Sequence, residues 1–270
     1  MADTLPVKLV YSQICKQGAV RAVRFNVDGT YCLTCGSDKS VKLWNPHRKL
    51  LLKSYMGHGF EVLDAQSSSD NSQICSCSMD KTVMVFDVAS GKSLRKYRGH
   101  AGIVNCVRFN EESSLVLSGS IDSTVKIFDL KSRKMEPVQV LDEAKDSVTC
   151  IQVSDHEILT GSADGRIRRY DLRVGKLCTD LIGKSVTSVT FTRDSQYVGH
   201  KNTDCRIDSC LNAKDTHVFS GSEDGSVYIW DLIEKVVHSL TFHPSDNCLV
   251  TAAGDSMYVW KSKYAPSIDT

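Results

Sequence analysis

The sequence has almost no net charge and lacks any long apolar run. Its 270 residues include 33 Lys and Arg and 32 Asp and Glu, so the formal charge is +1. Such a balance provides no global attraction to nucleic acid or to an anionic membrane. No run of eighteen apolar residues is present, and residues 1–10 lack the apolar core of a secretory signal. We therefore expect no membrane association and a cytoplasmic and nuclear location.

Cysteine is plentiful, but its distribution does not favour a disulfide framework. The eleven cysteines are odd in number and several lie inside apolar, strand-like runs. Without a secretion signal, they are best interpreted as reduced, buried side chains. Cys32 and Cys35 could suggest a zinc or redox site, yet Cys75 and Cys77 have a different spacing and no histidine pair completes a ligand set. The sequence therefore predicts no metal and no cofactor.

Segments with the 3.6-residue period of a helix are also lacking, whereas a repeat of 42 residues runs through much of the chain. Asp38, Asp80, Asp122 and Asp164 are each 42 residues apart, and Gly-His pairs precede several of the repeated phrases. Within one repeat, short β-branched or aromatic runs alternate with Asn, Ser, Asp and Gly. The third repeat predicts four strands, at Val104–Phe109, Leu115–Ser118, Val125–Asp129 and Val138–Leu141.

This period, with Gly-His and Trp-Asp or its variants, resembles the WD-repeat (WD40) family of β-propellers. The resemblance implies a buried hydrogen-bond chain of histidine, aspartate, serine or threonine, and tryptophan in each blade. In the second and third repeats, Phe86 and Phe128 replace tryptophan, so these chains should stop at the serine. The residues assigned to this structural network are His58, Asp80, His100, Ser120, Asp122, Asp164, His200, Ser222, Asp224 and Trp230, with Ser220 as an alternative to Ser222.

Residues 1–270 are predicted to form one all-β propeller of seven blades. The N-terminal run 7–14 is expected to supply the fourth strand of the last blade, which closes the ring and removes exposed sheet edges. The period fails between Tyr170 and Trp230, which are 60 residues apart, and between Trp230 and Trp260, which are 30 apart. The fifth blade should therefore be incomplete and the sixth thinned, with poor packing at 183–211 and 232–238. A six-bladed ring is the alternative.

The chain further resembles the mitogen-activated protein kinase organizers, a family of WD-repeat scaffolds. The segments that carry this likeness are 17–45, 98–105, 117–124, 153–173 and 215–225. The resemblance implies a non-catalytic scaffold, not an enzyme, that assembles components of the extracellular-signal-regulated (MAP) kinase cascade. It also implies association with the spliceosome in pre-mRNA splicing.

His100, Ser120 and Asp122 contain the residue types of a hydrolase triad, but the same trio recurs from repeat to repeat and has no nucleophile elbow. A structural role is therefore the preferred interpretation. Protein partners should instead contact loops, which carry binding in propellers. The candidate partner-binding residues in these loops are Phe60, Glu61, Met79, Ile121 and Ala163.

A cluster of arginines provides a second candidate contact, through Arg166, Arg168 and Arg173. These side chains could bind an acidic protein or RNA phosphate, or could simply form a solvated, charged strand. We expect no direct nucleic-acid binding, because interleaved exposed aromatics are lacking. Tyr170–Arg173 also resembles the box by which some propellers bind the adaptor of cullin-four ubiquitin ligases, so a ligase substrate receptor is the alternative function. The propeller is expected to be monomeric.

Overall fold

The computed structural model describes residues 8–191, 197–201, 208–212, 217–221, 227–231, 240–242, 248–253 and 256–261. Within these ranges every regular element is a β-strand, and the strands form antiparallel sheets. The all-β prediction is therefore confirmed. We call the successive strands of a sheet a, b, c and d. Each sheet begins with strand a, which is rich in Val, Ile and Phe because such side chains fit a pleated, buried surface.

Four consecutive sheets are complete. They comprise β2 (Val20–Phe25), β3 (Cys32–Gly36), β4 (Ser40–Asn45) and β5 (Leu50–Met56); β6 (Val62–Ser67), β7 (Gln73–Ser78), β8 (Thr82–Asp87) and β9 (Ser93–Arg98); β10 (Val104–Phe109), β11 (Leu115–Ser120), β12 (Val125–Asp129) and β13 (Gln139–Leu141); and β14 (Val148–Val153), β15 (Glu157–Ser162), β16 (Arg166–Asp171) and β17 (Lys176–Leu181).

The remaining strands form three further sheets among the described residues. The fifth has two strands, β18 (Val186–Phe191) and β19 (Tyr197–Lys201), and the sixth has three, β20 (Ser209–Leu211), β21 (His217–Gly221) and β22 (Val227–Asp231). The last contains β23 (Leu240–Phe242), β24 (Cys248–Ala253) and β25 (Ser256–Lys261), and its outer strand is β1 (Lys8–Ile14), which pairs antiparallel with β25.

The sheets are arranged in a ring, because their first strands contact one another in a cycle. In order around this cycle, the contacting strands are β2, β6, β10, β14, β18, β20 and β23, and β23 contacts β2 again. Radial sheets packed face to face around an axis are the arrangement of a β-propeller. The number of blades in the whole chain stays a prediction, since it depends also on residues outside the described ranges.

The b–c turns are tight hairpins that need a residue with positive φ. Gly165 takes this position in the fourth sheet with φ 76°, as its Asp-Gly pair predicts. In the first three sheets the same position is held by Lys39, Lys81 and Ser123, with φ between 64° and 66°. This conformation is therefore imposed by the hairpin even where glycine is absent.

The core lies between adjacent sheets, where glycines near the end of strand b allow close approach of the next strand a. A Cβ added to Gly161 would lie 2.6 Å from the Cys150 sulfur and 2.7 Å from a Val186 methyl group. Val186 and Val189 are themselves buried against the fourth sheet. The expectation of poor packing from residue 183 onward is therefore wrong for β18, because its apolar face is covered by β14 and β15. Residues 232–238 lie outside the described ranges.

Candidate protein-interaction face

The b–c turns and the d–a loops lie at the same end of the sheets, and we call this end the loop face. Backbone hydrogen bonds tie each turn to the loop that precedes strand a of the same sheet. Met79 N donates to Glu61 O at 3.0 Å, Ile121 N to Ile103 O at 2.9 Å, and Ala163 N to Ser147 O at 2.8 Å. The predicted partner-binding residues in these turns therefore lie on fixed backbone.

In the second sheet, the histidine of Gly-His links the turn to strand b. His58 Nδ1 lies 3.3 Å from both carboxylate oxygens of Asp80, and its Nε2 lies 2.8 Å from Ser76 Oγ. Asp80 also accepts hydrogen bonds from Gly59 N and from the hydroxyl of Thr82. Although burial opposes ionisation, these donors hold the pKa of Asp80 well below its ordinary value. The carboxylate thus stays charged inside the turn.

The third sheet repeats this geometry and corrects one predicted residue. His100 Nδ1 lies 2.9 Å from Asp122, but Nε2 bonds to Ser118 Oγ at 2.8 Å and not to Ser120. Ser120 Oγ instead accepts from Asp122 N. Ser118 and Ser120 are two positions apart and share one face of strand b, and the imidazole bonds to the first of them while the turn amide bonds to the second. Ser118 Oγ also lies 3.3 Å from Lys126 O, so its one proton is shared between the imidazole and this carbonyl.

The pKa values of His100 and Asp122 reflect the partly buried, hydrogen-bonded environment of this pair. Burial works against the charged carboxylate, but hydrogen bonds from Thr124 and His100 lower the pKa of Asp122 to about 2. Burial also lowers the pKa of His100, and the attraction of Asp122 offsets this only in part. The imidazole is therefore neutral at pH 7 and serves as a hydrogen-bond bridge.

The first sheet contains a complete chain that the sequence interpretation missed. Gln17 takes the place of histidine, since its Nε2 donates to Asp38 Oδ1 at 3.3 Å and its Oε1 accepts from Thr34 Oγ1 at 2.5 Å. The Trp44 indole then donates to Thr34 Oγ1 at 2.8 Å. The sequence contained a signal for this role of Gln17. It is a polar residue 21 positions before Asp38, and His58 lies 22 positions before Asp80.

The fourth sheet has no histidine at this point, and Arg168 supplies the missing donor. Its guanidinium bonds to Asp164 at 2.6 Å and to Ser162 Oγ at 2.7 Å. Only 2% of Arg168 is exposed. The prediction that Arg168 contacts a partner is therefore wrong, because strand alternation turns this side chain inward onto the turn aspartate. Burial opposes ionisation of Asp164, yet Arg168 and Ser162 lower its pKa to about 2.

The network predicted for the sixth repeat lies largely outside the described residues. Ser222 and Asp224 fall outside them, and Trp230 lies in β22 opposite Val218. His200 lies inside β19 opposite Ser188, as part of strand b of the fifth sheet, and not in a loop that precedes the sixth. Ser220, the alternative to Ser222, is buried and its hydroxyl has no hydrogen-bond partner among the described residues.

Apolar side chains are exposed above the fixed turns of the loop face. Phe60 is 61% exposed, Ile121 49% and Met79 36%. Lys39 of the first sheet approaches the Phe60 ring, with its ammonium 5.7 Å from the ring centre. The remaining two predicted contacts, Glu61 and Ala163, are partly buried, and Glu61 is paired with Arg21 at 2.8 Å.

The two other arginines of the predicted cluster differ from Arg168. Arg166 is partly buried at the start of β16, and its backbone amide donates to Asp164. Arg173 has 62% of its side chain exposed and lies 3.6 Å from Asp171. Tyr170, in the same short motif, donates its hydroxyl to Glu143 at 2.8 Å; burial and this carboxylate raise the pKa of Tyr170. Arg173 is therefore the exposed member of the cluster, whereas Arg166 and Arg168 form hydrogen bonds to the turn aspartate Asp164.

The His-Ser-Asp trio has the geometry of a structural bridge. Ser118 is fully buried and its hydroxyl is shared between the imidazole and a backbone carbonyl, so it is not presented to a substrate. In the described part of the chain, no group of three His, Cys, Asp or Glu side chains could hold a metal ion. Cys32, Cys35 and seven further cysteines there are not in disulfide bonds. No helix in that part could span a membrane.

Ring topology and turn networks define the chain as a repeat protein of the propeller class. The model of the family described as WD domain, G-beta repeat matches residues 7–45, 49–87, 91–129, 135–171 and 175–231, so the chain belongs to the WD40 family. Proteins of this family are generally non-catalytic interaction modules.

Among individual proteins, the chain is similar to WD repeat domain-containing protein 83. The Rattus norvegicus protein is 60% identical over 297 aligned residues, which cover 97% of this chain and 94% of the relative. The Homo sapiens protein is 58% identical over 294 residues, with 96% and 93% covered. A homolog of this protein from Dictyostelium discoideum is 32% identical, covering 90% of this chain and 94% of its own length. Since the 297 aligned positions exceed the 270 residues here, the rat protein has residues that this chain lacks.

Proposed function

We propose that this protein is a non-catalytic scaffold that holds components of the extracellular-signal-regulated (MAP) kinase cascade together and also associates with the spliceosome. It then acts in both the cytoplasm and the nucleus, as a monomeric propeller. The proposal is supported by the resemblance of its segments to kinase-cascade organizers and by its membership of a family of interaction modules.

The single observation that carries the proposal is a set of exposed apolar side chains on immobilised backbone. Phe60, Met79 and Ile121 project from loops and turns that are already fixed by hydrogen bonds to the partly buried Asp80 and Asp122 and by backbone bonds between loop and turn. A partner that covers such side chains gains apolar burial without the cost of ordering the loop. Rigid presentation of this kind suits a scaffold, which must hold two partners in a constant relative position.

The experiment is a reconstitution from purified components. The chain is mixed with a purified MAP kinase kinase and its extracellular-signal-regulated kinase, and ternary complex formation is measured by size-exclusion chromatography with light scattering. We expect a ternary complex that weakens at least tenfold in the double variant Phe60→Ser and Ile121→Ser. Val27→Ser is the matched control, because Val27 is 55% exposed in an a–b loop at the opposite end of the sheets.

The outcome against this proposal is absence of any binary or ternary complex while the chain is folded and monodisperse. The splicing association is tested separately, by capture of spliceosomal proteins from nuclease-treated nuclear extract with the same three forms of the chain. Nuclease treatment removes RNA bridges, so retained proteins reflect protein contacts. Equal capture by wild type and the double variant would assign splicing proteins to another surface.

A ubiquitin-ligase substrate receptor is the second candidate, and the exposure of Arg173 favours it. An arginine that projects from the rim can form a bidentate pair with a carboxylate of an adaptor. Arg173→Ala should then abolish binding to the purified adaptor of a cullin-four ligase without a change in melting temperature, because among the described residues this side chain makes a single surface ion pair. If the wild-type chain does not bind the adaptor, this candidate is eliminated.

A further inference from the structure

A basic cavity lies between the second and third sheets, at the edge of the loop face. Its volume is about 340 Å³, and it is lined by Asp80, Lys81, Thr82, Lys96, Arg98, Gly99 and His100. Lys81 belongs to the b–c turn, Lys96 and Arg98 to the end of strand d, and His100 to the d–a loop of the next sheet. Three permanent cations therefore surround one opening, although the chain as a whole is nearly neutral.

Two of these cations have no counterion. The side chains of Lys81 and Arg98 make no hydrogen bond or ion pair with any described residue, whereas Lys96 bonds to Gly57 O at 3.0 Å and lies 3.5 Å from Asp80. Asp80 is the one carboxylate in the lining, and its oxygens are already engaged by His58, Gly59 and Thr82. The cavity thus has an uncompensated positive charge of about two.

The other repeats show that the fold does not require these cations. In the position of Lys96, the first and fourth sheets have Ser54 and Thr179, opposite Lys42 and Arg168. In the position of Arg98, they have Met56 and Leu181. In the turn, the third sheet has Ser123 in the backbone conformation of Lys81. Single members have counterparts elsewhere, since Lys39 holds the turn position in the first sheet and Lys126 bonds to Gly99 O as Lys96 does to Gly57 O. The combination of three cations is therefore particular to this junction.

We propose that this cavity binds a phosphorylated serine or threonine side chain of a partner protein. A phosphoserine has a charge of about −1.5 to −2 at pH 7, which balances the two unpaired cations, whereas a glutamate side chain balances one. Three donors around one opening also suit the three acceptor oxygens of a phosphate. The lining contains no Phe, Tyr or Trp, and the imidazole of His100 is only 1% exposed, so bases of RNA would have no surface on which to stack.

The position of the cavity makes this ligand part of a larger protein contact. Arg98 ends strand d at the loop face, and Lys81 follows Met79 and Asp80 in the turn, so the opening is next to an exposed apolar contact. A partner that covers the loop face could insert a phosphorylated residue here, and its binding would depend on phosphorylation. The assignment of the phosphate to a partner protein rests on the proposed scaffold function, whereas phosphate binding by the cavity does not.

The experiment uses a capped seven-residue peptide of alanine and glycine with one central phosphoserine, titrated into the full chain by isothermal calorimetry. The unphosphorylated serine peptide, the glutamate peptide and a uridine hexanucleotide are titrated in parallel. The site variant is Lys81→Ser with Arg98→Met, since sister repeats contain these residues at the same places. The control is Lys92→Ser with Arg133→Met, which removes the same charge from exposed c–d loops at the opposite end.

We expect binding of the phosphoserine peptide at least tenfold tighter than that of the other peptides, and at least a tenfold loss in the site variant but not in the control. Equal binding of the glutamate peptide, tighter binding of the hexanucleotide, or equal losses in both variants would overturn the proposal. Absence of phosphopeptide binding would also overturn it. None of these results bears on kinase-complex formation, so failure of the cavity and failure of the scaffold function are distinguishable.

Discussion

The turn aspartates Asp38, Asp80, Asp122 and Asp164 pose the same physical problem in four sheets, and different side chains solve it. A partly buried carboxylate needs donors that replace water, because an unpaired buried charge is very costly. His58 and His100 provide them in the second and third sheets, Gln17 in the first, and Arg168 in the fourth. The aspartate is thus the constant member and its donor is replaceable.

The hydrogen bond from the Trp44 indole to Thr34 is a part of this network whose contribution to stability can be measured. Trp44→Phe removes the indole donor to Thr34 and leaves a small void, and we expect the free energy of unfolding to fall by about 2 kcal/mol. The fold should persist, because Phe86 and Phe128 occupy this position in the next two sheets. Combining it with Thr34→Val in a double-mutant cycle, followed by urea unfolding, should give a coupling of about 1 kcal/mol. Strict additivity would show that the bond contributes nothing.

The histidine of the third sheet makes stability depend on pH in a defined direction. Burial lowers the pKa of His100, so between its ordinary value of about 6.5 and its folded value the unfolded chain binds more protons. Stability should therefore fall as the pH drops through 6.5. Asp122, with a pKa of about 2 against an ordinary 3.8, adds its own loss only below about pH 4.

This dependence is checked by urea unfolding from pH 7.5 to pH 5 for the wild type and for His100→Gln. Glutamine is the replacement because Gln17 makes the equivalent bonds in the first sheet. The variant should lose less stability on acidification, since glutamine does not titrate and the other histidines are common to both proteins. Parallel profiles would mean that His100 is not responsible.

At the scale of the element, strand positions were predictable from the sequence and side-chain contacts were not. β10 and β12 have the predicted bounds, because Asn, Ser and Asp end each apolar run. β11 extends to Ser120, because strand pairing with β10 continues through Gly119. The burial of Arg168 was missed, although the 42-residue period places it in register with Lys42 and Lys126. Lys42 pairs with its turn aspartate as Arg168 does with Asp164, so this register was a signal that the sequence interpretation did not use.

The spacing between sheets is set by glycines, and one of them gives a sharp test. A Cβ at Gly161 would come within 2.7 Å of both Cys150 and Val186, whereas at Gly99 it would meet nothing within 4 Å. Gly161→Ala should therefore lower the free energy of unfolding by about 1–3 kcal/mol through overpacking, while Gly99→Ala should be nearly neutral. Thermal unfolding of both variants checks this, and equal melting temperatures would contradict it.

At the scale of the whole molecule, a buried ionic cluster connects sheets that are distant in sequence. Arg24 of the first sheet lies 3.3 Å from Asp64 of the second and also pairs with Asp208, which precedes β20 of the sixth. Arg108 of the third sheet bonds to the same Asp64 at 2.7 Å. Asp208 also accepts a hydrogen bond from Ser188 in the fifth sheet at 3.4 Å. Side chains from four of the strands a, together with Asp208, thus connect five sheets.

This cluster predicts that replacing one carboxylate with an amide of the same shape lowers the free energy of unfolding strongly. Asp64 is fully buried, so Asp64→Asn leaves Arg24 and Arg108 near a neutral amide in a site with little water. Breaking a buried ion pair on one side costs about 3–5 kcal/mol, and the loss should appear as a much lower urea midpoint. The matched control is Asp155→Asn, whose carboxylate is 68% exposed and pairs with the exposed His156, so its effect should be within about 0.5 kcal/mol of zero. Similar midpoints for the two variants would show that the ring is held by apolar packing between neighbouring sheets, with no contribution from charges that join distant ones.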